Sequence, residues 1–248
     1  MDSDFLIRAV VLAGAASLAA CAGVGKSESM NYRAIVASLD RSEANRQTDQ
    51  RRNPELLLAF TGARPGMRVL DMGAGGGYST ELLARAVGSG GTVYAQDSPG
   101  VPQRARERFD ERAKTTAMRN VVRVLRDYDD PVPPDVRDLD LITFFFAYHD
   151  TAFMNVDRAK MNRALFGALK PGGLLVIADH SAQAGAGTSV AKSLHRIEEA
   201  TLRREIEAAG FRLASEADFL RHREDPRDSI VFRPQVPVDE FVLKFVRP

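Results

Sequence analysis

The chain has 248 residues, enough for one full domain with appendages and for a core that needs no disulfide bonds. At 44% hydrophobic and 27% charged residues it reads as globular, not disordered or collagenous. Its 34 basic and 33 acidic residues leave a net charge of +1, so no nucleic-acid partner is expected: such binders carry a basic excess or stripe.

Residues 1–20 read as a signal peptide. Arg8 precedes an alanine-rich apolar run from Ala9 to Ala20, too short for a comfortable membrane span and right for the apolar core of a secretion signal. The run ends Leu18-Ala19-Ala20-Cys21. This LAAC resembles the lipobox of bacterial lipoproteins. The resemblance implies lipidation at Cys21 and a membrane-anchored protein facing the periplasm. It would leave no free thiol for catalysis or metal ligation. The alternative is an N-terminal helix with an incidental cysteine, in a cytoplasmic protein. Residues 21–30 are small and polar and read as a tether. Residues 31–248 form the main domain, beginning with a charged helical extension. In that extension Asn53 and Pro54 mark a helix start, and Arg51-Arg52 read as a solvated face.

After Gly66 strands and helices alternate. MRVLDM predicts a strand and STELLARAVG a helix, capped by Ser79 or Thr80 and stopped at Gly88. GTVYAQD predicts a strand ending in Asp97, and VPQRARERFDERAKT a helix with a solvated face. VVRVLRD and the long apolar LDLITFFFAYHD predict further strands, the second central in its sheet. VDRAKMNRALFGALK is an amphipathic helix broken at Pro171, and LLVIADH a buried strand. SLHRIEEATLRREIEAAG reads as one helix, and FRLASEA and EFVLKFVR as two last strands. This alternation predicts an α/β fold with a mostly parallel, doubly wound sheet and helices on both faces. In such sheets ligands bind beyond the carboxyl ends of the strands.

The loop VLDMGAGGGYST carries the functional signal. Glycines permit a sharp turn and close approach of a ligand, and the helix behind them offers free N–H groups. A dinucleotide fingerprint would place its third glycine at position 78, which is Tyr78. The chain instead reads Asp71-x-Gly73-Ala74-Gly75-x-Gly77. This pattern resembles motif I of class I S-adenosylmethionine-dependent methyltransferases. Asp97 one strand later, Asp127 after the third strand, LKPGG and the closing EFVLKFV are similar to the same family, over about Asn53 to the C-terminus. The resemblance implies a Rossmann-like sheet with an antiparallel last strand, and S-adenosylmethionine as cofactor. It gives Asp71 and the loop Gly73, Ala74, Gly75 and Gly77 to the cofactor's amino-acid end, Asp97 to the ribose and Asp127 to the adenine. The pattern YHD, DHSA and LHRIE is also similar to a group of predicted methyltransferases that often carry secretion signals.

Candidate catalytic groups lie at strand ends: Tyr148 and His149, with Asp150, after the fourth strand, and His180, with Asp179, after the fifth. His195 and Arg196 would follow on the next helix. A neutral imidazole could act as general base. Three converging histidines would also suit a metal, though no metal is expected. The leading expectation is a methyltransferase acting on a small-molecule, lipid or envelope acceptor. The alternatives are a catalytically inactive nucleoside-binding lipoprotein on the same fold, which would resolve the conflict between an export signal and a cytoplasmic cofactor, and a nicotinamide dehydrogenase, disfavoured by Tyr78.

Overall fold

A computed structural model describes residues 30–232 and 234–248. The expected signal segment, most of the tether and Cys21 lie outside the described residues. Among these, no helix is long and apolar enough to cross a membrane.

Seven strands form one sheet in the order β3-β2-β1-β4-β5-β7-β6. They are β1 (Arg68–Met72), β2 (Thr92–Asp97), β3 (Val121–Leu125), β4 (Leu139–Phe145), β5 (Leu169–His180), β6 (Arg212–Ala217) and β7 (Glu240–Val246). Pairing is parallel from β3 through β5, and β7 runs antiparallel to both β5 and β6. The order reverses between β1 and β4, which opens a crevice at their carboxyl ends.

The helices are α1 (Tyr32–Val36), α2 (Glu43–Arg52), α3 (Pro54–Thr61), α4 (Tyr78–Val87), α5 (Gln103–Ala113), α6 (Arg158–Ala168), α7 (Ala191–Leu194) and α8 (Glu199–Ala208). Strand alternation divides the core into two layers. Leu70, Met72, Ile142 and Phe144 pack with Met161 and Leu165 of α6 and Leu202 and Ile206 of α8. Val69, Val93 and Leu141 pack on the other face with Leu57 and Leu58 of α3 and Leu82 and Leu83 of α4. By the same parity Asp71 and its register partner Thr143 face the α4 layer.

Two local expectations are corrected and one is met. Gly77, in the left-handed conformation, stands at the N-cap of α4, and Ser79 and Thr80 lie inside the helix with their hydroxyls on Asp71. Asn53 stands at the N-cap of α3 with Pro54 opening the helix, as expected, though its side chain makes no capping bond. The helix expected from Ser193 to Gly210 is broken. Ala191–Leu194 stops at a left-handed His195, and Ser181 bridges to Ile197 before α8 begins. Fully buried Arg196 explains the break. It bonds Ser181 O, Ser229 O and Asp225, partners that a continuous helix would not offer together.

Candidate functional site

The turn after β1 follows from its glycines. Gly73, Gly75 and Gly77 have φ of 63°, 54° and 77°, a region costly to other residues. A Cβ on Gly73 would lie 2.8 Å from the Ala147 Cβ, so the turn is also packed tightly against the β4 end. At Gly75 the nearest atom to such a Cβ is 3.9 Å away, so this part of the loop faces open space. Two side chains of β2 hold the loop. Gln96 Oε1 accepts the Gly73 N–H at 3.3 Å, and Asp97 Oδ1 accepts the Gly75 N–H at 3.2 Å.

A cleft of about 1330 Å³ opens over this turn. Gly73, Ala74, Gly75, Asp97, Tyr128, Phe146, Asp150 and Arg52 line it. Asp97 is only 4% exposed, and burial pushes its carboxyl up to about 6, with nearby Asp71 adding to the shift and the Gly75 N–H opposing it. Oδ2 of Asp97 makes no hydrogen bond among the described residues.

Asp71 lies beneath the loop, outside the cleft lining. One of its oxygens accepts the hydroxyls of Ser79 (3.0 Å) and Thr80 (2.7 Å), the other that of Thr143 (2.8 Å). Burial raises its pKa and the three hydroxyls pull it back. These bonds anchor the turn to α4 and β4. The Asp127 side chain is exposed and away from the lining, where its neighbour Tyr128 stands instead.

Sequence reasoning missed Arg52. Read as solvated, it lines the cleft, with its guanidinium 4.4 Å from the Phe146 ring centre and 5.5 Å from that of Tyr78. Its Nε has no hydrogen-bond partner among the described residues, and burial lowers its pKa to about 10. The opening dipeptide of RRNPELL gave no hint, because α2 folds back over the sheet end only in three dimensions. Tyr78 takes part in that fold-back by donating to Asp49 Oδ1 at 2.6 Å. On α5, also read as solvated, Arg112 donates to Gly76 O at 2.9 Å, to Asn45 Oδ1 at 2.8 Å and to Glu81.

The catalytic candidates separate. Tyr148 is fully buried in the α6–α8 layer. Its hydroxyl donates to Glu205 and accepts from Asn162, both at 2.8 Å, which corrects the expectation that it serves the site. His149 occupies a 3₁₀ turn, His149–Ala152, at the β4 end. Its Nδ1 lies 2.7 Å from Asp179 Oδ1, and its backbone N–H donates to Asp179 Oδ2 at 2.9 Å. Its Nε2 lies 3.1 Å from Asp150 Oδ1 and 3.3 Å from His195 Nδ1. Burial works against a charged ring, but the Asp179 and Asp150 carboxylates outweigh it and push the His149 pKa up to about 10. These carboxylates favour the charged ring. His180 stacks on Phe146 with ring centres 5.2 Å apart. Its Nδ1 is 2.9 Å from Glu240 Oε1 but off the hydrogen-bonding direction. The rings of His180 and His195 lie 5.6 and 5.4 Å from that of His149, so all three meet. Of this group only Asp150 opens on the cleft.

Residues 69–173 match the family model of a methyltransferase domain. The match begins in β1 and ends at the start of β5, so it contains the glycine turn, Asp97 and the His149 turn. The chain is 33% identical over 123 residues to the ubiquinone/menaquinone biosynthesis C-methyltransferase UbiE of Vibrio vulnificus, covering 49% of this chain and 44% of that protein. The chain thus spans less than half the length of the curated relatives it first matches. In fold it resembles a SAM dependent methyltransferase from Aquifex aeolicus, with a TM-score of 0.59 and 22% identity over 83% of this chain and 97% of that one. It also resembles the [4+2]-cyclase SpnF, with a TM-score of 0.57 and 19% identity over 83% and 82% of the two chains. These likenesses establish the Rossmann-like methyltransferase fold, and the cyclase among them means that the chemistry must be argued from the site.

Proposed function

We propose that this protein is an S-adenosylmethionine-dependent methyltransferase. The observation that carries the reading is the glycine turn joined to buried Asp97 at the sheet's switch point, inside the segment that matches a methyltransferase domain. The residues suit the cofactor. Open space at Gly75 lets a ligand approach the backbone. Asp97 Oδ2 can accept a ribose hydroxyl, and Arg52, whose Nε has no hydrogen-bond partner among the described residues, suits the carboxylate of the amino-acid end. Asp71 acts from below by fixing the turn. Bound there, S-adenosylmethionine supplies an electrophilic methyl group for in-line displacement. The chain's contribution is then mainly positioning and exclusion of water.

Phe145, Phe146, Ala147 and Met154 line the cleft near Asp150 and favour a small, partly apolar acceptor, from a soluble molecule to a lipid. The C-methyltransferase relatives support this class without defining the acceptor atom. The LAAC sequence supports a lipid anchor at Cys21 and placement at the periplasmic face of a membrane, testable by mass spectrometry of the cell-derived N-terminus.

Calorimetric titration of the full chain with S-adenosylmethionine, beside Asp97→Ala, tests the cofactor site. Micromolar binding lost in the variant is expected. Absence of binding to the wild type would overturn the reading. Binding without methyl transfer to any quinone-like, phenolic or lipid acceptor would favour the inactive nucleoside-binding alternative.

A further inference from the structure

We propose that His149, Asp150 and His195 form a divalent transition-metal site at the edge of the cleft. Three donor atoms converge there: His149 Nε2, His195 Nδ1 and Asp150 Oδ1. Their separations are 3.1, 3.3 and 3.3 Å, a nearly equilateral triangle. With metal–ligand bonds of about 2.1 Å, ligand atoms lie about 3.0 Å apart in octahedral and about 3.4 Å apart in tetrahedral sites. The observed triangle falls between the two, so one ion can reach all three atoms without moving the backbone.

Its surroundings are those of a metal-binding histidine. His149 turns its other nitrogen to the fully buried Asp179, 2.7 Å away, which fixes the ring and makes Nε2 a better donor. His195 is held by a backbone that is costly for its residue type. It adopts φ 54°, ψ 48°, and the adjoining Ile197 is pinned to the β5 end by Ile197 N–H to His180 O and Ala182 N–H to Ile197 O. The His195 ring packs against Phe232, centres 4.6 Å apart, so one side of the cluster is apolar. Two imidazoles and a carboxylate suit Zn²⁺, Co²⁺ or Fe²⁺ better than Mg²⁺ or Ca²⁺, which prefer oxygen. Three protein ligands leave coordination positions open. Asp150 lines the cleft, so the open positions would serve an oxygen ligand bound there, such as a hydroxyl or carboxylate of the acceptor.

The inference does not depend on methyl transfer, and its test uses no S-adenosylmethionine. The full chain, stripped with a chelator, is titrated with Co²⁺ and followed by visible absorption, then back-titrated with Zn²⁺. We expect one equivalent of Co²⁺ with ligand-field bands that Zn²⁺ removes. His195→Ala and Asp150→Asn, both at partly exposed positions, should each weaken binding by at least about tenfold while retaining the wild-type circular dichroism. Absence of stoichiometric Co²⁺ binding to the wild type overturns the proposal, as does undiminished binding by both variants. In either case the three residues are left as a hydrogen-bonded polar cluster at the cleft edge.

Discussion

Asp97 is the residue at which stability and binding oppose each other. Burial raises its folded pKa to about 6, above the unfolded value of about 3.9. The folded chain therefore binds more protons than the unfolded chain between those values, and this group makes the apo protein less stable as pH rises from about 4 to about 6. Asp97→Asn keeps an oxygen for the Gly75 N–H and removes the buried charge. It should stabilise the apo protein at pH 7 by about 1–3 kcal/mol, read from urea unfolding, while weakening cofactor binding at least about tenfold. Wild-type cofactor affinity should fall as pH drops through about 6, when the carboxylate loses the charge that strengthens its hydrogen bonds to hydroxyls. Arg52, which lines the same cleft, offers the matching test. Its guanidinium stacks on Phe146 with no carboxylate partner among the described residues, so Arg52→Met should leave the melting temperature unchanged or higher and raise the cofactor Kd about tenfold or more. An unchanged Kd would remove Arg52 from the site.

At the scale of elements, β1, the glycine turn and α4 act as one unit. The hydroxyls of Ser79, Thr80 and Thr143 converge on Asp71, and Gln96 and Asp97 hold the turn from β2. Gly73→Ala breaks this arrangement twice: φ is +63°, and the new methyl group would meet Ala147 at 2.8 Å. A loss of about 1–3 kcal/mol in stability is expected. Gly75→Ala shares the positive-φ strain but has space for its methyl group, so it should cost less stability, while that methyl group stands where a ligand approaches the loop. Thermal melts and titration of both variants separate the two effects.

At the scale of the molecule, α2 returns to the carboxyl ends of the strands and closes one wall of the cleft through Tyr78–Asp49 and the Arg112–Asn45–Glu81 network. The segment between β6 and β7 is clasped by Arg196. Arg196 and Asp225 are both buried and paired at 2.7 Å, with Asp225 Oδ2 also accepting the Asp239 N–H at the same distance. Arg196→Ala leaves that carboxylate buried with only backbone N–H donors, and a cost of about 3–5 kcal/mol in urea unfolding is expected. Hydrogen exchange should show the opening concentrated in residues 218–239 and in the His195 turn.

The sequence determined the sheet and its ligand-facing edge. Apolar runs such as LITFF and LLVIA admit only buried strands, and the spacing of Gly73, Gly75 and Gly77 after Asp71 fixes a turn that other residues could not form. Those signals are local, carried by neighbours in the chain. Which side of a strand or turn a polar residue serves was decided only by packing. Asp71 went to three hydroxyls by strand parity, Tyr148 into the α6–α8 layer, Arg52 onto Phe146 because α2 folds back, and His195 to His149 because Arg196 broke a helix. Thr143, Glu205, Phe146 and His149 are all remote in sequence from the groups they meet, and except at Arg52, whose Nε stays without a hydrogen-bond partner among the described residues, burial left the polar group to find its hydrogen bond or ion pair wherever the tertiary fold supplied one.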